Sequence, residues 1–142
     1  MASFNKFNAF VAAVANKVHN LGADTFYVQL MNSVPSAANA VETDLPADLS
    51  TANGYTAGGV SAGVATGSSQ SGGLYKLTIA DKVITAAGGT IGPFRYAVLL
   101  NNSATNKELI GWYDYASSIT LNDTETFTID FDGANGVLTI GV

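Results

Sequence analysis

Alternation of apolar and polar residues recurs along most of this chain and constrains its fold more than any other feature. In residues 124–131 every second side chain is apolar, beginning at Phe127. Successive side chains of a strand point to opposite faces, so this spacing is typical of a half-buried β-strand. Comparable runs occupy residues 24–32, 60–66, 74–79, 83–86, 94–100, 109–115, 119–121 and 137–142.

Glycine-rich turns separate these runs, as in residues 88–92 and 133–136. About eight short strands at this spacing predict a mainly β fold, an antiparallel β-sandwich or jelly-roll-like barrel. The run 94–100 is the most hydrophobic and is expected at the centre of a sheet.

The N-terminal segment, residues 1–22, follows a different period. Its apolar residues are spaced alternately by three and four positions, which predicts one α-helix over residues 3–21. Ser3 suits the N-cap, and Gly22 suits the residue after the helix. The apolar seam consists of Phe4, Phe7, Val11, Val14, Val18 and Leu21. Two interpretations remain open: the helix lies across a sheet, or the seam contacts a symmetry mate or a neighbouring protein.

We expect residues 1–142 to form one domain, since 142 residues provide one substantial core and no internal repeat occurs. Within the β body, residues 23–142, an irregular arm covers residues 33–58 and contains Pro35 and Pro46. One helical turn is expected near 44–49. Long irregular segments in small domains are commonly functional. The arm is therefore predicted to reach a neighbouring subunit, with the helix seam as the competing choice.

Composition excludes several classes of function. Charged residues make up 12% of the chain and hydrophobic residues 47%, with a net charge of −5. Six basic residues cannot build the positive surface that nucleic-acid binding requires, and no apolar run is long enough to span a membrane. We therefore expect neither nucleic acid nor membrane as a partner.

The sequence is poor in the residues that catalytic and metal sites need. It contains no cysteine and one histidine, His19, for which a structural role near the helix end is expected. Phosphate-binding loops do not occur. The chain is therefore predicted not to be an enzyme, with no catalytic residues, no cofactor and no metal.

Residues 130–136 resemble the start of a calcium loop, but Ala134 and Gly141 stand where such a loop needs ligands. A hairpin turn between two strands is the preferred interpretation. Carboxylates available for a hydrolytic pair are Asp114, Asp123, Glu125, Asp130 and Asp132.

Several segments resemble a family of small virion proteins of tailed bacteriophages. The most specific are GGTIGPFRYAVL at residues 88–99 and LIGWYDY at residues 109–115. Further matching segments are residues 6–8, 18–25, 53–59, 75–77 and 126–133. Family members carry labels such as head decoration protein or tail fibre protein, and the resemblance implies no catalytic residues.

The resemblance implies a component of the virion. We expect a capsid decoration, or cement, protein on the capsid surface that bridges capsomers by binding the major capsid protein, because the one-domain chain has no shaft, collagen-like repeat or long coiled coil. A charge-poor, apolar chain of this size is expected to use part of its surface in assembly, and a homotrimer would match the local three-fold positions of an icosahedral lattice. The alternative is a tail or fibre-associated module that binds a host receptor or glycan. Its candidate platforms are Tyr27, Tyr113 and Tyr115.

Overall fold

The structure is a computed structural model, and it describes residues 2–141. Strands and isolated β-bridges account for 46% of the described residues and helices for 7%. The elements in chain order are β1 (Ser3–Lys6), α1 (Ala9–Ala15), β2 (Thr25–Met31), a 3₁₀ helix (Glu42–Asp44), β3 (Val60–Val64), β4 (Ser69–Ser71), β5 (Leu74–Leu77), β6 (Lys82–Thr85), β7 (Ile91–Asn101), β8 (Leu109–Leu121), β9 (Thr126–Ile129) and β10 (Leu138–Ile140).

The strands form three antiparallel sheets. The largest has the order β1-β8-β7-β2-β3, the second β10-β5-β4, and the third pairs β6 with β9. One core cluster joins side chains of all three sheets, among them Val28, Leu77, Ile84, Leu99 and Ile129. The predicted mainly β, sandwich-like fold with a single helix near the N-terminus is confirmed.

Strand β7 occupies the centre of the five-stranded sheet, as predicted. Ala97 and Leu99 face the main core, whereas Val98 and Leu100 belong to a second buried cluster that includes Trp112. Both faces of β7 are therefore buried. This burial explains why the run is apolar at nearly every position rather than at every second one.

The predicted helix over residues 3–21 is wrong in its extent. Residues Ser3–Lys6 form β1, which pairs with β8, and the helix covers only Ala9–Ala15. Three valines in the seam lower helix propensity, and helix-like spacing alone cannot outweigh the hydrogen bonds that an open sheet edge offers. Ser3 is therefore a strand residue and not an N-cap.

The helix ends well before Gly22. Asn16 is the C-cap residue, and Lys17 follows with a φ of 63°, in the left-handed region. The backbone N–H of Lys17 donates to the Val14 carbonyl over 3.2 Å. This geometry is a common way to stop a helix, and it usually employs glycine or asparagine.

The predicted hairpin at residues 133–136 is also wrong. Strand β9 pairs with β6, whereas β10 pairs with β5. The turn thus carries the chain from one sheet to another.

Two further predictions need correction. The described residues form ten strands rather than about eight, because the sequence does not predict β1 and β4. In place of the turn expected at 44–49, a 3₁₀ helix covers Glu42–Asp44.

Residues 33–58 contain no strand, and they lie against their own domain. The Leu109 N–H donates to the Ala40 carbonyl over 3.0 Å, and the Leu49 N–H donates to the Leu30 carbonyl over 3.1 Å. These bonds attach the segment to β8 and β2. The irregular segment therefore covers part of the five-stranded sheet of its own chain.

His19 lies beyond the helix and is 6% exposed. The Asn101 side chain fixes its tautomer. Asn101 Oδ1 accepts hydrogen bonds from the N–H groups of Ser103 and Ala104, so Asn101 Nδ2 is the atom that faces His19 Nδ1 at 2.9 Å and Asp24. His19 Nδ1 therefore accepts, and its proton sits on Nε2. The expected structural role takes the form of a buried network and not of a helix-end charge.

We expect stability to fall as the pH drops through the range just below 6.5. Burial lowers the pKa of His19 beneath its ordinary 6.5, against the smaller raising effects of Glu108 and Asp24. In that range the unfolded chain takes up a proton that the folded chain resists. The free energy of unfolding therefore declines by at most about 1.4 kcal/mol per pH unit.

Urea unfolding at about pH 7.5 and about pH 5 measures this effect. His19→Gln, which cannot titrate, should remove most of the difference. Stability that is unchanged or higher at the lower pH would contradict the prediction.

Candidate functional site

A cleft of about 430 Å³ opens where β1, β8 and the turn after β9 meet. Its volume falls in the range of pockets that hold small ligands or single side chains. The lining residues are Ala2, Phe4, Tyr113, Tyr115, Thr128, Asp130, Asp132, Asn135, Gly136 and Val137. We treat this cleft as the candidate site.

Aromatic rings form one wall of the cleft. Tyr113 and Tyr115 are two positions apart on β8, and the register of β1 sets Phe4 opposite Tyr113. The ring centroids of Phe4 and Tyr113 are 5.0 Å apart, and those of Tyr113 and Tyr115 are 6.5 Å apart. Phe127 packs edge-on against Tyr115 at 4.9 Å. The rings are held by their neighbours, so this wall exists before any ligand arrives.

Two carboxylates, those of Asp130 and Asp132, also line the cleft and form its acidic wall. The carboxylate oxygens of Asp132 accept hydrogen bonds from the backbone N–H and the side-chain amide of Asn135, both over 2.9 Å. These bonds lower the pKa of Asp132, so it is ionised at neutral pH. Asp130 Oδ1 accepts from the Asp132 N–H over 2.7 Å. The turn thus fixes both acids at the mouth of the cleft.

The two phenol hydroxyls make no hydrogen bond to any other residue within 2–141. Burial raises the pKa of Tyr113 and of Tyr115, and the negative charge of Asp130 raises both further. Both hydroxyls therefore keep their protons at physiological pH. They remain available to a ligand as donors or acceptors.

No lysine, arginine or histidine is among the residues that line the cleft. The nearby Lys76 Nζ donates to the Ala134 carbonyl over 2.9 Å. In the described part of the chain, ion pairs form only between Arg95 and Asp114 and between Lys107 and Glu42. The acids of the cleft are thus not in ion pairs with described side chains.

Only two of the five carboxylates considered for a hydrolytic pair come together here, Asp130 and Asp132. Asp114 binds Arg95 Nε over 2.8 Å. Asp123 accepts from the Gly88 N–H over 2.8 Å, and Glu125 accepts from the Asn122 N–H over 2.7 Å. These three acids stabilise β-sheet connections and have no part in the cleft.

The predicted interface residues are dispersed by the fold. Phe4 lines the cleft, and Phe7, Leu21 and Pro35 are buried. Val14 and Pro46 are half-buried, while Val11 is 57% exposed and Val18 38% exposed. A single continuous seam therefore does not exist.

Of the three tyrosines considered as platforms, Tyr113 and Tyr115 share the cleft. Tyr27 packs against the second core cluster instead. The sequence contains a signal for both walls of the cleft. In GWYDY two tyrosines are two positions apart, and in DFD two aspartates are two positions apart. That β8 and the turn after β9 line one cleft could not be inferred from either segment alone.

This chain matches no family model, no curated protein and no solved structure. Within residues 2–141 no helix has the length and hydropathy to cross a membrane. The same range holds no group of three or more acidic or histidine side chains placed to bind a metal ion.

Proposed function

We propose that this chain is a structural protein of a tailed-phage virion, a head decoration protein that binds the major capsid protein and bridges neighbouring capsomers. The resemblance of residues 88–99 and 109–115 to such proteins supports this function. Those segments supply most of β7 and the start of β8, the central pair of the largest sheet. The resemblance therefore concerns the body of the fold and not a peripheral loop.

The observation that carries the proposal is the exposure of large apolar side chains on a chain with few charges. Six large apolar side chains of the described residues are substantially exposed: Val11, Val18, Val34, Val64, Leu74 and Val83. Charged residues make up only 12% of the chain. Where exposed apolar side chains gather into one patch they mark a protein contact, and we propose such a patch for part of this set.

We further propose that the protein forms a homotrimer through the region of Val11 and Val34. Val11 lies on α1, and Val34, 63% exposed, lies at the start of the irregular segment. The Asn8 N–H donates to the Ala37 carbonyl over 2.9 Å and joins the two segments. This region takes one residue from each of the two predicted contacts, the helix seam and the irregular arm.

Light scattering after size exclusion tests the trimer. At about 100 μM, where even a micromolar contact is mostly formed, we expect three times the chain mass of 14.6 kDa. The double variant Val11→Ser, Val34→Ser should be monomeric because it removes apolar area from the contact. Val83→Ser, at a 52% exposed position on β6, is the matched control and should stay trimeric. A monomeric wild type would contradict the trimer.

Copy number in purified virions tests the proposed function itself. Quantitative mass spectrometry should find on the order of hundreds of copies, as a repeating lattice requires. Labelling should place the protein on the head. A copy number near that of tail parts would refute the decoration role.

The cleft favours a second candidate, a tail or fibre-associated module that binds a host receptor or glycan. Its aromatic wall offers ring faces to the C–H groups of a sugar, and its acids can accept from hydroxyls. A low copy number and labelling at the tail would support this candidate.

A further inference from the structure

We propose that the cleft between β8 and the turn after β9 binds a basic side chain, an arginine or lysine presented by a partner protein. That this partner is a virion protein rests on the proposed function. The chemistry of the cleft does not depend on it.

The aromatic wall suits a cation. The faces of Phe, Tyr and Trp rings attract ammonium and guanidinium groups that lie within about 6 Å of the ring centroid. The ring centroids of Tyr113 and Tyr115 are 6.5 Å apart, and Phe4 extends this wall from the neighbouring strand. Tyr115 and Phe4 are half-buried, whereas Tyr113 is only 7% exposed and forms the floor of the wall. A planar guanidinium can also stack on such a ring, which an ammonium cannot do.

The acidic wall supplies the charge. The Asp132 oxygens accept from Asn135, and Asp130 Oδ1 accepts from a backbone N–H, but neither carboxylate forms an ion pair with a described side chain. Carboxylates accept several hydrogen bonds each, so both retain acceptor positions for a guanidinium. The two phenol oxygens can accept additional N–H groups.

The electrostatics favour a cation over a neutral sugar. Asp130 raises the pKa of both tyrosines, and Asp132 raises that of Tyr113, in keeping with negative charge beside the rings. No basic residue lines the cleft; the nearby Lys76 donates its ammonium to the Ala134 carbonyl, and its charge also acts on Asp132. A positive ligand gains from this field, whereas a neutral ligand gains little.

Titration of the full-length, ¹⁵N-labelled protein with N-acetyl-arginine methylamide tests the inference. We expect saturating shifts of the amides of Tyr113, Tyr115 and Asn135, with a dissociation constant on the order of 1–10 mM. The citrulline counterpart has nearly the same shape without the charge and should bind at least about tenfold more weakly. Raising the ionic strength should weaken arginine binding.

Two matched variants assign the effect to the cleft. Asp130→Asn removes a charge but keeps the oxygen that accepts from the Asp132 N–H, and it should weaken binding roughly three- to tenfold. Asp123→Asn removes an equal charge at an exposed position outside the cleft and likewise keeps an acceptor, for the Gly88 N–H. It should bind like the wild type. Unchanged spectra elsewhere in each variant confirm the fold.

Equal binding of the citrulline compound, or equal loss in both variants, would overturn the inference. Glucose shifting the same amides more strongly than the arginine compound would also overturn it and support the glycan-binding candidate. Because the titration uses the isolated protein and virion copy number uses particles, failure of this inference and failure of the decoration role are separable.

Discussion

Replacing Tyr55 with phenylalanine is expected to lower the free energy of unfolding by about 2–4 kcal/mol. Tyr55 is 2% exposed, and its hydroxyl serves two groups. It accepts from the Leu30 N–H over 2.9 Å and donates to Asp48 Oδ1 over 2.5 Å. The variant leaves a buried N–H of β2 unpaired. It also removes a donor from Asp48, whose pKa burial already raises.

Thermal and urea unfolding measure this change, and a melting temperature lower by roughly 6–15 °C corresponds to it. Tyr27→Phe is the matched control, since the described residues provide no hydrogen bond for the Tyr27 hydroxyl. It should alter stability by less than about 0.5 kcal/mol. Similar stabilities of the two variants would show that the irregular segment is not fixed to β2 through Tyr55.

Replacing Gly111 with alanine is expected to detach β1 and to cost about 3 kcal/mol, the upper end of typical overpacking. An added Cβ at this position would lie 2.6 Å from the Asn5 carbonyl oxygen and would also overlap the Phe4 ring. The backbone oxygen belongs to β1, so a side-chain rotation cannot relieve the clash. The strand must move away from β8.

Hydrogen exchange of the amides in residues 3–6, together with urea unfolding, detects this displacement. Gly133→Ala is the control, because a Cβ there would meet nothing within 4 Å and the backbone needs no positive φ. It should leave stability within about 0.5 kcal/mol. If the N-terminal residues formed the helix that the sequence predicts, Gly111→Ala would have no contact with them. A neutral result would therefore restore that prediction.

The two substitutions address the parts of the chain where local pattern and structure disagree. In the irregular segment, residues without any periodicity are fixed by single polar contacts such as that of Tyr55. At the N-terminus, Phe4 and Phe7 fit a helical period, yet Phe4 lies on a strand and Phe7 enters the second core cluster beside Trp112. The spacing of apolar residues alone cannot show which part of the fold gives these side chains the more favourable packing.

The candidate site shows the same division. Each wall of the cleft could be recognised in the sequence as an alternating pair, Tyr113 with Tyr115 and Asp130 with Asp132. The sequence could not show that the two pairs come together, because this depends on the chain crossing from β9 into a different sheet at residues 133–136. The sequence instead favoured a hairpin there, because a short glycine-rich turn between two strands commonly pairs those strands with each other when no other strand is available.

By itself, the amino-acid sequence determined eight of the strands and the mainly β class, because the direction of a side chain along a strand is a local property with a period of two. It also determined that β7 is central, since only a strand buried on both faces tolerates a run such as residues 94–100. The tertiary structure alone decided which strands pair, that residues 3–6 form a strand, where the helix begins and ends, and that aromatic and acidic residues line one cleft. Those outcomes depend on contacts between residues far apart in the chain, and their free energies exceed the small local preferences that a sequence pattern records.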